Sequence, residues 1–194
     1  FNYLIKSTDN SEAMFILYFN AYLSEHDTLT SHSPKQYNKS HLDHLFPRAW
    51  KANWKNNEYS TSEVSNFILT LEKDSPELFS NINSEQFLLD IKNSENFELL
   101  NYTTSPQRQE ESLIEVIGNK WVLHAGTNIQ TSNHDFELKK SKYQEEKWIK
   151  IPSNNNEIGI NQYESFTFKE IITRTLILIN NIVKNYKTNW DNVS

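Results

Sequence analysis

Two histidines and an aspartate fall within four positions of HLDHLFPRAW, residues 41–50. An imidazole takes a proton from water near neutral pH, and a carboxylate beside it can hold a divalent ion against a phosphate oxygen. Asp43 and His44 are the pair of that kind. Neighbours on a regular strand point to opposite faces, so the two serve one site only where the strand ends. Pro47, which cannot donate to a ladder, and the turn from Arg48 to Trp50 supply such an end. His41 reads as a strand-face histidine or a secondary ligand. The bland alternative for the pair is a solvated turn capped by Asp43.

The second segment is LIEVIGNKWVLHAGTN, residues 113–128. The chain has only three glycines, and two of them, Gly118 and Gly126, lie here. A chain this sparing with glycine places it where the backbone bends tightly or approaches something closely. Asn119 and Asn128 follow those glycines. An amide oxygen is a hard ligand for Mg²⁺ and adds no charge to repel phosphate. It can equally orient a histidine ring, close a turn or cap a helix. Farther on, Lys139, Lys142 and Lys150 share a helical stripe suited to a phosphate backbone, or to a solvated face. Arg48 suits a phosphate contact or a salt bridge to nearby acids. His124 reads as structural, and His134 as a possible secondary ligand.

These residues need a scaffold. Residues 11–24 have a helical apolar period after Ser11, and HLDH reads as a short strand. Helices are expected near 61–72 and 84–92. The run from Leu113 to Ile117 reads as a strand of a hairpin or a helix end, followed by a Gly-Asn turn and a strand from Lys120 to His124. A helix-like stretch spans about 132–147, and IPSNNNEIG is loop. A strong terminal helix runs from about Phe168 to Tyr186, with Ile171, Ile172, Leu176, Ile179 and Val183 on its apolar face and Arg174 interrupting it. Trp121, Trp148 and Trp190 are expected in the core.

Composition bounds the chemistry. Cysteine is absent, which excludes disulfides, thiolate zinc sites and thiol nucleophiles. A metal must then be held by His, Asp, Glu or Asn, a set suited to Mg²⁺ or Mn²⁺, or to a His-rich Zn²⁺ or Ni²⁺ site. The net charge of −6 argues against a nucleic-acid partner until its distribution is considered. From Glu58 to Glu115 there are twelve acids against three bases, so the rest of the chain is net basic. The acidity belongs to an intervening segment, whereas residues 41–55, with three bases against one acid, and 119–150, with six lysines against four acids, are mildly basic. No apolar run is long enough for a membrane span, and no signal peptide is visible, so a soluble protein is expected. The opening FNYLIKST, with no initiator Met, suggests the C-terminal part of something longer.

The pattern DHLFP, IGNKWVL, TNIQTSNHDFELKKSKY and an ITR-containing helix ending at Trp190 resembles a known nuclease domain. It is the C-terminal His-Asn-His (HNH, His-Me finger) domain of GmrSD-like modification-dependent restriction enzymes. Related domains occur in the phosphorothioate-sensing Ssp (SspE) restriction system and in RNA-guided CRISPR nucleases. The resemblance covers roughly residues 10–190, with its specific residues in 41–48 and 113–143. It implies an α+β fold, a ββα-metal core embedded in a mainly helical single domain, 1–194, with an acidic helical insertion at 56–112 and a C-terminal packing helix. His44 would be the general base, Asp43 and Asn128 the ligands of Mg²⁺ or Mn²⁺, and Asn119 would brace the loop and orient His44. The implied activity is anti-phage DNA nicking in the cytoplasm, alongside an N-terminal sensor or NTPase domain or partner subunit. No P-loop occurs in these residues. Two departures stand out: about seventy residues separate the motif halves, and the last motif position is Asn rather than His, which favours Mg²⁺ or Mn²⁺ over Zn²⁺. The competing readings are an inactive interaction or regulatory module, with the acidic insertion as its docking element, and a phosphohydrolase acting on nucleotides.

Overall fold

Two short strands, β1 (Ser40–His44) and β2 (Lys120–His124), form an antiparallel pair that sets Asp43 opposite Trp121 and His44 opposite Lys120. A computed structural model of the chain describes residues 17, 40–47, 61–93, 113, 116–145 and 160–191. Arg48, Trp148 and Lys150 lie outside them, as does the expected helix at 11–24 apart from the buried, helical Leu17.

The hairpin is buried on both faces. Trp121 and Leu123 join the main core with Leu45 and Phe46, whereas Val122 and Leu42 pack with Leu17, Ile177 and Leu178. A strand covered on both sides reads as an unbroken apolar run, as WVL does. Helices supply the cover, giving an α+β architecture.

The acidic segment is part of that cover. Helices α1 (Thr61–Asp74) and α2 (Ser84–Asn93), joined by a 3₁₀ turn at Pro76–Phe79, bury Val64, Ile68, Phe79 and Phe87 in the main core. Glu63, Glu77 and Glu85 face solvent. The segment thus keeps its charge outward while contributing apolar surface inward.

The stretch before β2 takes the helical form: Ile117–Asn119 is a 3₁₀ turn feeding the strand, and the hairpin partner is β1. The expected helix over 132–147 is a shorter one preceded by another. Helix α3 (Ala125–Thr131) ends where Ser132 turns to φ 32°, and α4 (Phe136–Gln144) starts after Asp135, whose carboxylate accepts from Leu138 N–H at 2.9 Å. A residue with positive φ interrupts the helical hydrogen-bond ladder, and an Asp cap satisfies the new start.

The terminal helix α5 (Phe168–Asp191) runs beyond the expected end. Its start is fixed by a capping box: Thr167 donates its backbone N–H and its hydroxyl to the Glu170 carboxylate. Its apolar face spans both buried clusters through Ile171, Ile172, Leu176, Ile177, Leu178 and Ile179. The 3₁₀ turn before β2 presses on this helix. Gly118 N–H donates to Thr175 Oγ1 at 3.1 Å, and Gly118 C=O accepts from Arg174 Nη1 at 2.7 Å. A Cβ at Gly118 would collide with the Ile171 carbonyl and with Thr175. Backbone cannot yield as a side-chain tip does. Gly118→Ala should therefore lower unfolding stability by about 1–3 kcal/mol, as overpacking does. The check is the urea midpoint at constant slope; an unchanged midpoint would show that α5 can move away.

Candidate functional site

The end of β1 is held by three hydrogen bonds from one residue. Asn119 C=O accepts from Leu45 N–H at 2.9 Å, its Oδ1 accepts from Phe46 N–H at 2.7 Å, and its Nδ2 donates to Phe46 C=O at 2.9 Å. Asn119 is fully buried. An asparagine side chain offers donor and acceptor side by side, so it pairs with a backbone unit as a neighbouring strand would. This braces the loop that leaves His44.

Asp43 points into the protein. Its Oδ2 accepts from Lys139 Nζ at 2.9 Å and from the Tyr143 hydroxyl, and the same ammonium donates to His44 C=O. Lys139 does not belong to a solvent-facing phosphate stripe. It is buried with Phe136 and Tyr143 on the inner face of α4, while Leu138 is exposed. The positions i, i+3 and i+7 make that inner face, and Lys139 occupies one of them because Asp43 is there to receive its charge. Lys142 does lie outside, in a surface ion pair with Glu145 at 2.8 Å.

Asn128 sits in the middle of α3, half-buried, and its Nδ2 reaches Leu42 C=O at 3.4 Å, one residue before Asp43. Two acceptors here have no hydrogen-bond partner among the described residues: Asp43 Oδ1 and Asn128 Oδ1. A carboxylate oxygen and an amide oxygen are suitable donors for Mg²⁺ or Mn²⁺. His44 is half-buried at the last position of β1. His124 caps α3, accepting from Gly126 N–H at 3.2 Å on Nδ1. His41 and His134 are both exposed, on β1 and on the α3–α4 turn. Among the described residues no three His, Cys, Asp or Glu gather as a metal site.

Behind the pair runs a layered contact. Tyr143 packs on Trp121 with ring centroids 5.8 Å apart, and the Arg174 guanidinium lies 4.2 Å over the Trp121 ring while also donating to Lys120 C=O at 2.8 Å. Burial lowers Arg174 to about 10, although Tyr163 and Tyr143 pull it back up. Burial also lowers Lys139, and the charge and hydrogen bond of Asp43 oppose that. Tyr143 is raised well above its ordinary 10.0, first by burial, then by the Asp43 charge and hydrogen bond, against a smaller pull from Arg174.

Sequence reasoning missed Lys139, Tyr143 and Arg174 as parts of this arrangement. The readable signal was the i, i+3, i+7 face Phe136, Lys139, Tyr143, together with the lone acid of the strand SHLDH. Comparison of the chain with protein-family models, curated proteins and solved structures finds no match.

Two outcomes follow from these contacts. Asn119→Ala leaves buried Phe46 N–H and C=O unpaired and should reduce stability by about 1–3 kcal/mol for each group left unpaired. A loss below about 0.5 kcal/mol in chemical unfolding would show that the loop holds itself. The second concerns alkaline pH. A tyrosine in the unfolded chain ionises near 10, below folded Tyr143, so its contribution is complete below that pH and is lost as pH rises towards the folded value. Between about pH 9 and about pH 11 the wild type should lose stability more steeply than Tyr143→Phe, and parallel curves would refute the assignment.

Proposed function

We propose that this chain is a metal-dependent DNA endonuclease domain of the His-Asn-His type, with a ββα-metal core made of β1, β2 and α3. The observation that carries the reading is the Asn128 hydrogen bond to the Leu42 carbonyl. It brings the amide on α3 against β1 at the residue preceding the Asp43–His44 pair. His44 takes a proton from water, the water oxygen bonds to phosphorus, and the P–O3′ bond breaks. The products are a 5′-phosphate and a 3′-hydroxyl, the latter protonated from solvent. Asp43 and Asn128 would hold Mg²⁺ or Mn²⁺, which, when bound, offsets charge on the leaving oxygen. Asn119 fixes the backbone from which His44 projects, so the base needs little reorganisation.

Anti-phage restriction directed by DNA modification extends this reading, with recognition assigned to a sensor or NTPase domain or subunit. The fragment should then nick DNA weakly and with little sequence preference. Lys142 remains a candidate phosphate contact. A second reading is favoured by one observation: Asp43 is already neutralised by Lys139, as in an inert, structural hairpin.

A supercoiled-plasmid assay with Mn²⁺ separates the two. Relaxation is expected, with a loss of about 10²–10⁴-fold in His44→Ala and a comparable loss in Asn128→Ala. Folded wild type that leaves the plasmid untouched, or equal nicking by His44→Ala, favours the inert module.

A further inference from the structure

We propose that Lys139 is a positioning residue: it fixes which oxygen of Asp43 is offered to a metal ion and offsets that carboxylate's charge, so the free protein holds a divalent cation weakly. The metal part of this inference rests on the nuclease reading. Both donors to Asp43, the Lys139 ammonium and the Tyr143 hydroxyl, converge on Oδ2, which leaves Oδ1 as the open oxygen. The ammonium is fully buried and bridges to His44 C=O, so it locks the carboxylate to the backbone that carries the imidazole. Both donors come from one rigid face of α4, which the Asp135 cap fixes at its start.

Charge decides the consequence. Asp43 contributes one negative charge and Lys139 one positive, and Asn128 is neutral. A divalent ion approaching Oδ1 therefore meets a site with no net attraction from these groups, and an added anion, the phosphodiester itself, must supply it. A lysine whose charge did not reach the Asp43 carboxylate would have no bearing on metal affinity.

Mn²⁺ titration of the full chain without DNA, followed by the paramagnetic resonance of free Mn²⁺, tests this. Lys139→Met and Lys139→Gln should bind Mn²⁺ at least about tenfold more tightly than wild type, because a repelling charge has gone. The gain should vanish in Asp43→Asn/Lys139→Met. Gln keeps an N–H donor facing Oδ2, so it carries the comparison where the Met variant fails to fold. Equal affinity in folded Lys139→Gln and wild type, or a gain that survives loss of the Asp43 carboxylate, overturns the proposal. The plasmid assay keeps the two readings apart. Nicking by wild type without an affinity gain in the variants leaves the nuclease and removes the inference. An Asp43-dependent gain with wild type inert towards DNA leaves the inference about Asp43 and removes the nuclease.

Discussion

Beyond the end of the strand pair, the two segments that form it are clamped together by one buried amide. Asn119 gives the backbone after His44 the hydrogen bonds that a third strand would otherwise supply, across 73 positions of sequence. Its own position is set in turn by the turn it terminates. Arg174 grips the carbonyls on either side of it, Gly118 and Lys120, and Gly118 packs against the helix that carries Arg174. The hairpin end is thus fixed from α5, through a turn with no room for a side chain. Removing the amide would leave buried polar backbone groups unpaired, which is why so small a residue governs so much of the geometry.

Electrostatics orders the opposite side of the hairpin. A carboxylate, an ammonium and a phenol lie among aromatic rings, and each is tolerated there only because the others are present. Such a set contributes little to net stability compared with apolar residues of the same volume. Its effect is to specify how α4 sits on β1: rotating the helix would leave a bare charge in the core. Arg174 does the same for α5 over the face of Trp121.

Much of this was legible from the sequence where period and punctuation agree. The α1, α2 and α5 spans follow from apolar spacing and polar breaks, and the DH and GN segments were rightly read as a strand end and a turn into a strand. The TFKE capping box at 167–170 was equally readable and went unread. The α3–α4 break was less accessible, because Ser132 adopts positive φ without being glycine or asparagine. Lys139, among neighbouring lysines, reads as surface, and Arg174, in an apolar run, as an interruption until the partner of each is known, and here both partners are distant in sequence. Lys139 is matched to Asp43 by chain topology alone, which one sequence does not display.

The long segment between the paired strands also sets the order in which the molecule is made. Antiparallel neighbours usually meet across a tight turn, within moments of each other on an emerging chain. Here β1 leaves the ribosome first and waits, while α1 and α2 are synthesised, for the strand, the clamp and the Asn128 helix that complete it. Arg174, which secures the clamp, comes later still. A nascent chain stalled before α5 therefore carries Asp43 and His44 without the geometry around them, which is complete only once Arg174 has emerged.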